Sequence, residues 1–406
     1  MLRGETGRRI MRILAIKRAA PLSAANGLDL PVREILGRLA TRHEVLLACW
    51  EGQSAGVGNL AFKIATTRLP ESEERLRRRD RLLEHYGFAG ATAPWLAGLI
   101  SEWRPHVVLG VDYATLPALA GNAGCPRLAY LIDNRYLSAR QDLLRGGGSR
   151  VRRVQPSGAL GALKEFIWSR RLHRRYGDAA NAFVFVTEQE AAGFRRFTRQ
   201  PCWAISNGVD TERFRRNGEV RDDNAVVFVG SLDFPPNIDA ATWFCNRVWP
   251  RVRRECPSAR LQIVGRDPVA RVLALGGRGQ VDVIADPPDV RPYLARAAAA
   301  VAPMRSGGGV KNKILEAWAM GTALVATRMS LAGLAARPGE NIMVADRPAD
   351  FAGAVVRCLR DAGWRDRIAE CGRQTVLAEH TWERAAEKLE ACLAQVARAG
   401  GPAECK

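Results

Sequence analysis

The chain has 406 residues, of which 47% are hydrophobic and 25% are charged, and its formal net charge is +19. This length exceeds what one hydrophobic core usually holds, so we expect a globular protein of two domains. No apolar run reaches the roughly 20 residues that a membrane-spanning helix needs, and residues 1–10 lack a signal-peptide core. We therefore expect a cytoplasmic protein in which residues 1–10 are either a tail or the result of a start assigned too early.

The large positive charge predicts an anionic partner, although arginines spread over solvated helix faces also contribute to it. The densest basic stretch runs from residue 140 to 175, opposed only by Asp142 and Glu165. Its cations are Arg140, Arg145, Arg150, Arg152, Arg153, Lys164, Arg170, Arg171, Arg174 and Arg175. Leucines and aromatic residues accompany them, which favours contact with an anionic membrane surface on its inner, cytoplasmic face. No zinc knuckle or recognition helix is evident and aromatic residues make up 7%, so we expect no nucleic-acid partner.

Cysteine and histidine patterns point to no metal site. The nine cysteines form no C-x-x-C pair, and the five histidines have no metal-ligand spacing. No suitably placed Asp-x-Asp pair occurs either. We expect no bound metal and no cofactor, with most cysteines serving as small buried apolar residues.

The first half of the chain alternates apolar strands with helices. We predict strands at residues 12–16, 43–48, 106–110, 127–132 and 183–186. A loop over residues 19–27 leads into a helix that ends near Ala40, and residues 71–104 are predicted to be helical. Nearly continuous apolar strands separated by helices indicate a parallel sheet covered on both faces.

The second half repeats this architecture more regularly. We predict strands at 225–229, 260–264, 281–284, 298–302 and 322–326, and helices at 239–254, 268–275, 290–297 and 311–320. The fold class is therefore α/β, with two doubly wound, Rossmann-like domains whose strand ends face a central cleft. We place the domains at residues 11–205 and 206–380, with a C-terminal helix over 381–400 returning toward the first.

A glycine-rich loop before the last predicted strand carries the strongest functional signal. Gly307, Gly308 and Gly309 leave backbone amides uncovered next to a helix N-terminus, an arrangement that suits a phosphate. Gly309, Asn312, Lys313 and Glu316 fall on one face of that helix by their spacing. A diphosphate could bind the glycine amides and the lysines, and ribose hydroxyls could bind Glu316.

This loop is not a Walker motif, because Lys313 is followed by Ile314 and not by serine or threonine. The alternative interpretation is a glycine-rich turn before an ordinary amphipathic helix. The spacing of Lys311, Lys313 and Glu316 along the helix favours the nucleotide site over that alternative.

Several short motifs, in order, resemble those of the retaining glycosyltransferases known as group 1 or family 4, which have the GT-B fold. They are residues 206–214 (SNGVDTERF), 227–232 (VFVGSL), 261–265 (LQIVG), 288–294 (PDVRPYL) and 313–327 (KILEAWAMGTALVAT). The resemblance covers nearly the whole chain. The segment DFPPN at 233–237 further resembles bacterial transferases that build exopolysaccharide or envelope glycans.

The resemblance implies roles for individual residues. Glu316 would bind the nucleotide ribose, Gly230 would lie near the diphosphate, and Gly27 would approach the donor from the first domain unless it is an ordinary loop glycine. Asp133, at the end of a strand, matches a region where relatives carry a polar catalytic-site residue, with the alternative that it simply caps a turn. Asn237 is either a donor contact or the N-cap of the following helix.

Two departures from the family pattern concern the phosphates. Gly308 stands where relatives often have a second glutamate, and the Gly230 loop lacks the arginine and lysine that commonly hold pyrophosphate. Arg305, Lys311 or Lys313 would have to supply that charge.

The resemblance implies a hexosyltransferase-like enzyme that moves a sugar from a nucleotide-sugar donor to a glycan, lipid-linked or other acceptor, with retention and without a metal. Two alternatives stay open. One is a nucleotide-sugar epimerase of the same fold, and the other is a non-catalytic protein that binds anionic surfaces.

Overall fold

The computed structural model describes residues 10–21, 29–51, 62–66, 92–144 and 159–399. The chain divides into two compact units. The first contains Met1–Leu143, Ala162–Ser206 and Trp382–Lys406, and the second contains Leu144–Gly161 and Asn207–Thr381.

The first unit is built on a sheet whose described strands are seven in number and all parallel, in the order β3-β2-β1-β4-β5-β6-β7. The strands are β1 (Arg12–Ala19), β2 (Glu44–Glu51), β3 (Lys63–Thr66), β4 (Val107–Val111), β5 (Arg127–Tyr130), β6 (Ala182–Phe185) and β7 (Cys202–Ala204). Every residue of β4, β5 and β6 is buried, as expected for a parallel sheet covered on both faces. The sequence did not predict β3 and β7, which are too short to show a clear pattern.

Helices separate these strands. They are α1 (Asp29–Ala40), α2 (Thr92–Trp103), α3 (Leu116–Ala120), α4 (Arg135–Leu144), α5 (Ala159–Tyr176) and α6 (Glu188–Phe194). Most of the helix predicted over residues 71–104 lies outside the described residues, and its described part is α2.

The second unit contains a six-stranded parallel sheet within its fully described range of residues 207–381, in the order β10-β9-β8-β11-β12-β13. Its strands are β8 (Asp222–Val229), β9 (Arg260–Gly265), β10 (Val281–Ala285), β11 (Ala297–Ala302), β12 (Ala323–Ala326) and β13 (Met343–Val344). Its helices are α7 (Pro235–Trp243), α8 (Trp249–Glu255), α9 (Ala270–Leu273), α10 (Arg291–Arg296), α11 (Asn312–Ala319), α12 (Pro348–Arg360) and α13 (Ala362–Glu379). Phe244–Val248 form a π-helical turn between α7 and α8.

In both sheets, successive strands are first added on one side of the first strand and then on its other side, so the strand order has one reversal point. The reversal lies between β1 and β4 in the first unit and between β8 and β11 in the second. In doubly wound sheets the carboxyl ends of the strands at such a reversal form the usual ligand-binding crevice. The fold class predicted from the sequence, two doubly wound parallel sheets, is therefore confirmed.

The C-terminal helix α14 (Trp382–Ala399) belongs to the first unit, where it packs on α1. Arg42, just after α1, forms ion pairs with Glu383 and Glu390 of this helix. The main-chain N–H of Met11 donates to Nδ1 of His43, which leaves the His43 Nε2 facing Glu390 at 3.4 Å. These polar contacts fix α14 beside the start of the first sheet.

Among the described residues, no helix has both the length and the apolar character needed to cross a bilayer.

Candidate functional site

The candidate site lies at the strand reversal of the second sheet. Strand β8 ends at Val229 and leads directly into Gly230, while β11 ends at Ala302 and leads into the glycine-rich loop and α11. A Cβ atom on Gly230 would lie 2.8 Å from Nδ2 of Asn237 and 2.9 Å from Nζ of Lys313. Three residues predicted from the sequence, Gly230, Asn237 and Lys313, therefore meet at one point, and only glycine fits between the other two.

Lys313 and Asn237 connect the two loops. The Lys313 ammonium donates to Oδ1 of Asn237 at 2.8 Å, and the Asn237 amide donates to the main-chain oxygen of Ser231 at 2.8 Å. The same ammonium lies 4.2 Å from the ring centroid of Phe228. Asn237 is the third residue of α7 and Phe234 is its N-cap, so the N-cap alternative for Asn237 is wrong.

The electrostatic state of Lys313 is unusual for a lysine. Burial, together with the nearby positive charge of Lys311, lowers its pKa to about 7, against a smaller opposing effect of Glu316. An ammonium held this way is weakly solvated, and it would gain much from a bound anion. Lys313 supplies positive charge beside the Gly230 loop, which lacks basic residues of its own.

Lys311 has a different position from the one that spacing suggested. Its side chain is buried, and its ammonium donates to the carbonyl oxygens of Gly307, Gly308 and Gly309 at 2.9, 2.6 and 3.1 Å. Gly307 and Gly309 have φ values of +96° and +68°, which curl the loop around that ammonium and favour glycine. Lys311 therefore shapes the loop from inside, and a direct contact with phosphate stays a prediction.

Since the glycine carbonyls turn toward Lys311, the amide groups of the loop are left for another partner. Within the described residues, the N–H groups of Gly307, Gly308 and Gly309 donate no hydrogen bond. Successive free amides above a buried cation form a site suited to an anion. This arrangement supports the predicted phosphate cradle.

Replacing Lys311 with methionine should lower the free energy of unfolding by about 2 kcal/mol, because three carbonyls lose a charged donor. Thermal or chemical unfolding measures the loss. Asn312, which accepts a hydrogen bond from the Asn207 amide, offers a neighbouring comparison through Asn312→Ala. Equal stability of the methionine variant and the wild type would show that the ammonium does not hold the loop.

Glu316 lies one turn into α11 and is partly buried. In the described part of the chain, its carboxylate has no hydrogen-bond partner. Burial raises its pKa, against the opposing charges of Lys313 and Arg213. Its oxygens are not among the fully buried atoms without a partner, so they are accessible, and the contact with a ribose stays a prediction.

Sequence reasoning missed two residues of this region. A Cβ atom on Gly265, at the end of β9, would lie 1.7 Å from the main-chain oxygen of Gly230, so only glycine allows the two strand ends to approach. Arg213 acts electrostatically on Glu316, and its main-chain oxygen accepts a hydrogen bond from Arg291. A glycine directly ending an apolar strand was the available signal for Gly265, whereas no local pattern marks Arg213.

Substituting Gly265 with alanine should destabilise the protein by about 2 kcal/mol, because the Gly230 loop must shift to accept the methyl group. Gly353→Ala is the matched control, since this exposed residue of α12 has nothing within 4 Å of a new Cβ. The control should stabilise the helix slightly. Unfolding curves of equal midpoint for Gly265→Ala and the wild type would contradict the close approach.

Arg305 lies beside an acidic side chain of α7. Its guanidinium is 3.8 Å from the carboxylate of Asp239 and 5.9 Å from the ring centroid of Trp243, and the Arg305 side chain is half-exposed. Its predicted contact with the phosphates stays a prediction. Gly27, the other predicted donor contact, lies outside the described residues.

Asp133, the predicted catalytic residue, lies in the first unit after β5 and is partly buried. The Tyr113 hydroxyl donates to its main-chain oxygen at 2.9 Å, and His173 Nε2 lies 3.1 Å from that hydroxyl. Burial and the charge of Arg135 lower the pKa of His173 to about 3, so the ring is neutral. Because the hydroxyl hydrogen is already used, His173 Nε2 must donate, and the pair fixes the loop that carries Asp133.

Two glutamates in the first turn of α6, Glu188 and Glu190, lie in different environments. Glu188 is exposed and pairs with Arg195, but Glu190 is buried. Its carboxylate accepts from the hydroxyl of Thr187, whose oxygen in turn accepts from the Glu190 main chain. This reciprocal capping at the start of α6 explains why the acid is inside.

Comparison with known proteins finds a family match over part of the second half of the chain. Residues 223–361 match the family model described as "Glycosyl transferases group 1". An uncharacterised 44.6 kDa protein in the cps region of Klebsiella pneumoniae is 26% identical over 152 residues, which cover 36% of this chain and 39% of that protein. The lipopolysaccharide core biosynthesis glycosyltransferase LpsE of Rhizobium meliloti is 34% identical over 111 residues, 27% of this chain and 32% of LpsE. The matched stretches thus span less than two fifths of these relatives.

Among solved structures, Anabaena HepE in complex with UDP superposes with a TM-score of 0.68 at 13% identity, covering 95% of this chain and all of HepE. The similarity shows a shared two-domain fold. Residues 223–361, from β8 to α12, therefore carry a group 1 glycosyltransferase domain, and the chain as a whole has the two-domain GT-B fold.

Proposed function

We propose that the protein transfers a sugar from a nucleoside-diphosphate donor to a hydroxyl group of a glycan or lipid-linked acceptor during cell-surface polysaccharide synthesis. The family match, the name of LpsE and the complexes of HepE with UDP and with UDP-glucose support this class of reaction. We place the reaction in the cytoplasm, where nucleotide sugars would be at hand, and expect it to proceed with retention and without a metal.

The observation that carries the proposal is the pairing of an unbonded carboxylate with unbonded amides on one loop and helix. Glu316 would accept hydrogen bonds from ribose hydroxyls, while the amides of Gly307–Gly309 would donate to the diphosphate. Lys313 would place its charge on the same diphosphate from the Gly230 side. A ribose and a diphosphate are the two chemically distinct parts that UDP- and GDP-sugars share.

Chemically, the bond between the anomeric carbon and the diphosphate oxygen breaks, and a new bond forms from that carbon to the acceptor oxygen. The departing diphosphate gains negative charge, which the loop amides and Lys313 stabilise as it develops. The acceptor hydroxyl gives its proton to the departing diphosphate oxygen, and we assign Asp133 of the first unit to the acceptor side of this reaction.

Donor class can be found first by thermal unfolding in the presence of UDP-, GDP- and dTDP-sugars, because a specific ligand stabilises the folded state. Release of free nucleoside diphosphate is then followed with membrane-derived glycolipid or oligosaccharide acceptors. A transferase should release nucleoside diphosphate only when the nucleotide sugar and the acceptor are both present. Conversion of the nucleotide sugar to its epimer without release of diphosphate would instead identify an epimerase. Absence of any nucleotide-sugar binding would overturn the transferase and the epimerase alike.

A further inference from the structure

Arg216, in the segment that leads into β8, has a guanidinium with an unpaired edge. Its Nε and Nη2 atoms are buried and, within the described residues, have no hydrogen-bond partner. These two nitrogens form one edge of the guanidinium, which can donate side by side to two oxygens of an anion. Single unpaired nitrogens occur at other arginines such as Arg12 and Arg127, but among the described arginines Arg216 alone has two.

Two further arginines surround the same place. Nη1 of Arg221, which directly precedes β8, donates to Asp366 of α13, but its Nε is also buried without a partner in the described part of the chain. The buried Arg365 lies 3.3 Å from the same Asp366 carboxylate and pairs with Asp223 of β8 at 2.9 Å. Both cations act electrostatically on Arg216. Arg216, Arg221 and Arg365 thus form an arginine cluster in the second unit.

The acidic groups around the arginine cluster leave the edge of Arg216 unfilled. Asp366 is already paired with the other two arginines, and a carboxylate oxygen of Glu219 accepts from the main-chain N–H of Asn217 at 2.7 Å. Burial lowers the pKa of Arg216, and the neighbouring arginines lower it further, against the opposing charges of Asp366 and Glu219. A water molecule could accept a hydrogen bond there, but only an anion would also relieve the repulsion between the cations.

The arginine cluster lies far from the candidate nucleotide site. Arg221 directly precedes the first residue of β8, whereas Gly230 directly follows the last one. The strand has eight residues, so its two ends are separated by roughly 25 Å. The side chains of Arg216 and Arg221 are partly exposed, which gives a small ion access from solvent. An anion at the cluster would therefore occupy a separate site.

We propose that the arginine cluster binds a phosphate group, either as inorganic phosphate or as part of a small phosphorylated metabolite. Two phosphate oxygens accept from Nε and Nη2 of Arg216, and a third accepts from Nε of Arg221. A phosphate group has enough oxygens to serve both guanidinium groups at once, whereas a carboxylate has only two. This binding is independent of the transferase activity proposed above.

Thermal unfolding and calorimetric titration of the full-length protein with inorganic phosphate test the site. We expect phosphate to raise the unfolding midpoint by about 2 °C over chloride at equal ionic strength, because only the folded chain binds it. A parallel titration with a hexose phosphate distinguishes the two sources, since tighter binding of the ester would identify a metabolite and tighter binding of the free ion would identify inorganic phosphate. Equal midpoints in all three salts would overturn the proposal.

Three variants assign the binding to the arginine cluster. Arg216→Gln should weaken phosphate binding about tenfold or more, because two charge-assisted hydrogen bonds are lost. The matched control is Arg215→Gln, which removes the same charge from the neighbouring exposed side chain, paired with Glu212 at 3.4 Å, and should bind like the wild type. Lys313→Met should also bind phosphate like the wild type. Equal losses in both arginine variants, or a loss only in Lys313→Met, would refute the assignment.

Stability without phosphate separates a binding role of Arg216 from a structural one. In chloride, Arg216→Gln should be at least as stable as the wild type, because it removes a partly buried cation that its neighbours repel. In phosphate the order should reverse, since only the wild type gains from the ligand. A variant that unfolds earlier than the wild type by the same amount in both salts would show a purely structural role and contradict the proposal.

Discussion

Replacing Glu316 with alanine should weaken nucleotide-sugar binding by a few hundredfold, or about 3 to 4 kcal/mol, while leaving the fold intact. The loss follows from two charge-assisted hydrogen bonds to ribose hydroxyls that the variant cannot make. Stability should not fall, because the carboxylate has no hydrogen-bond partner among the described residues and its burial is unfavourable. A structural role for Glu316 would give the opposite pattern, a loss of stability with unchanged affinity.

Calorimetric titration of wild type, Glu316→Ala and Glu316→Gln with the preferred nucleotide sugar measures the effect. The titrations should be made near pH 6, where Lys313 is protonated, because the negative charge of Glu316 also raises the pKa of that lysine. Glu212→Gln, at an exposed acid of the same unit, controls for the lost charge.

A deoxyribose analogue separates the ribose contact from a general effect on the site. Removing the 2′- and 3′-hydroxyls of the nucleotide should weaken binding to the wild type but change little in Glu316→Ala, because the contact is already absent. If the analogue loses as much affinity in the variant as in the wild type, the ribose is bound by other groups.

The parts of the structure that the sequence predicted well are those determined by local, periodic patterns. Continuous apolar runs located the central strands of both sheets, and the spacing of Lys313 and Glu316 located the polar face of α11. Gly321 follows the C-cap of that helix with a φ of +62°, a conformation that favours glycine. Such features depend on neighbours a few residues away, which a single sequence displays.

The parts that were missed depend on contacts between distant segments. Lys311 and Lys313 look equivalent in sequence, yet one ammonium enters the glycine loop and the other crosses to Asn237. The difference comes from the curl of the loop and from the approach of β8 to β11, neither of which spacing encodes. The close contact of Gly265 with Gly230 and the burial of Glu190 have the same origin.

Donor affinity should fall about tenfold for each pH unit above 7, because Lys313 must be protonated to bind a diphosphate. In the free protein its pKa is lowered to about 7, so higher pH removes the proton before the donor arrives. A bound diphosphate raises that pKa again, and binding above pH 7 must then take up a proton. Because half of the lysine is already deprotonated at pH 7, the expected loss between pH 7 and 9 is about fiftyfold, or about 2.3 kcal/mol.

The stability of the free protein should change in the opposite direction. Since the pKa of Lys313 is lowered in the folded state, the unfolded chain binds more protons between pH 7 and the ordinary lysine pKa of 10.5. Unfolding therefore takes up protons in this pH range and becomes less favourable as pH rises. The contribution of Lys313 to the free energy of unfolding thus increases across that window. The difference between wild type and Lys313→Met isolates this contribution from other titrating groups.

The affinity measurement needs an intact nucleotide sugar, because the terminal phosphate of a free nucleoside diphosphate titrates near pH 6 and would obscure the effect. Lys313→Met should bind weakly at every pH and lose the steep dependence, while Asn237→Ala tests whether the hydrogen bond at 2.8 Å positions the ammonium. Calorimetry in buffers of different ionisation enthalpy counts the protons taken up, and we expect nearly one per donor bound at pH 8. A wild-type affinity that is constant from pH 7 to 9, with no proton uptake, would mean that Lys313 does not contact the diphosphate.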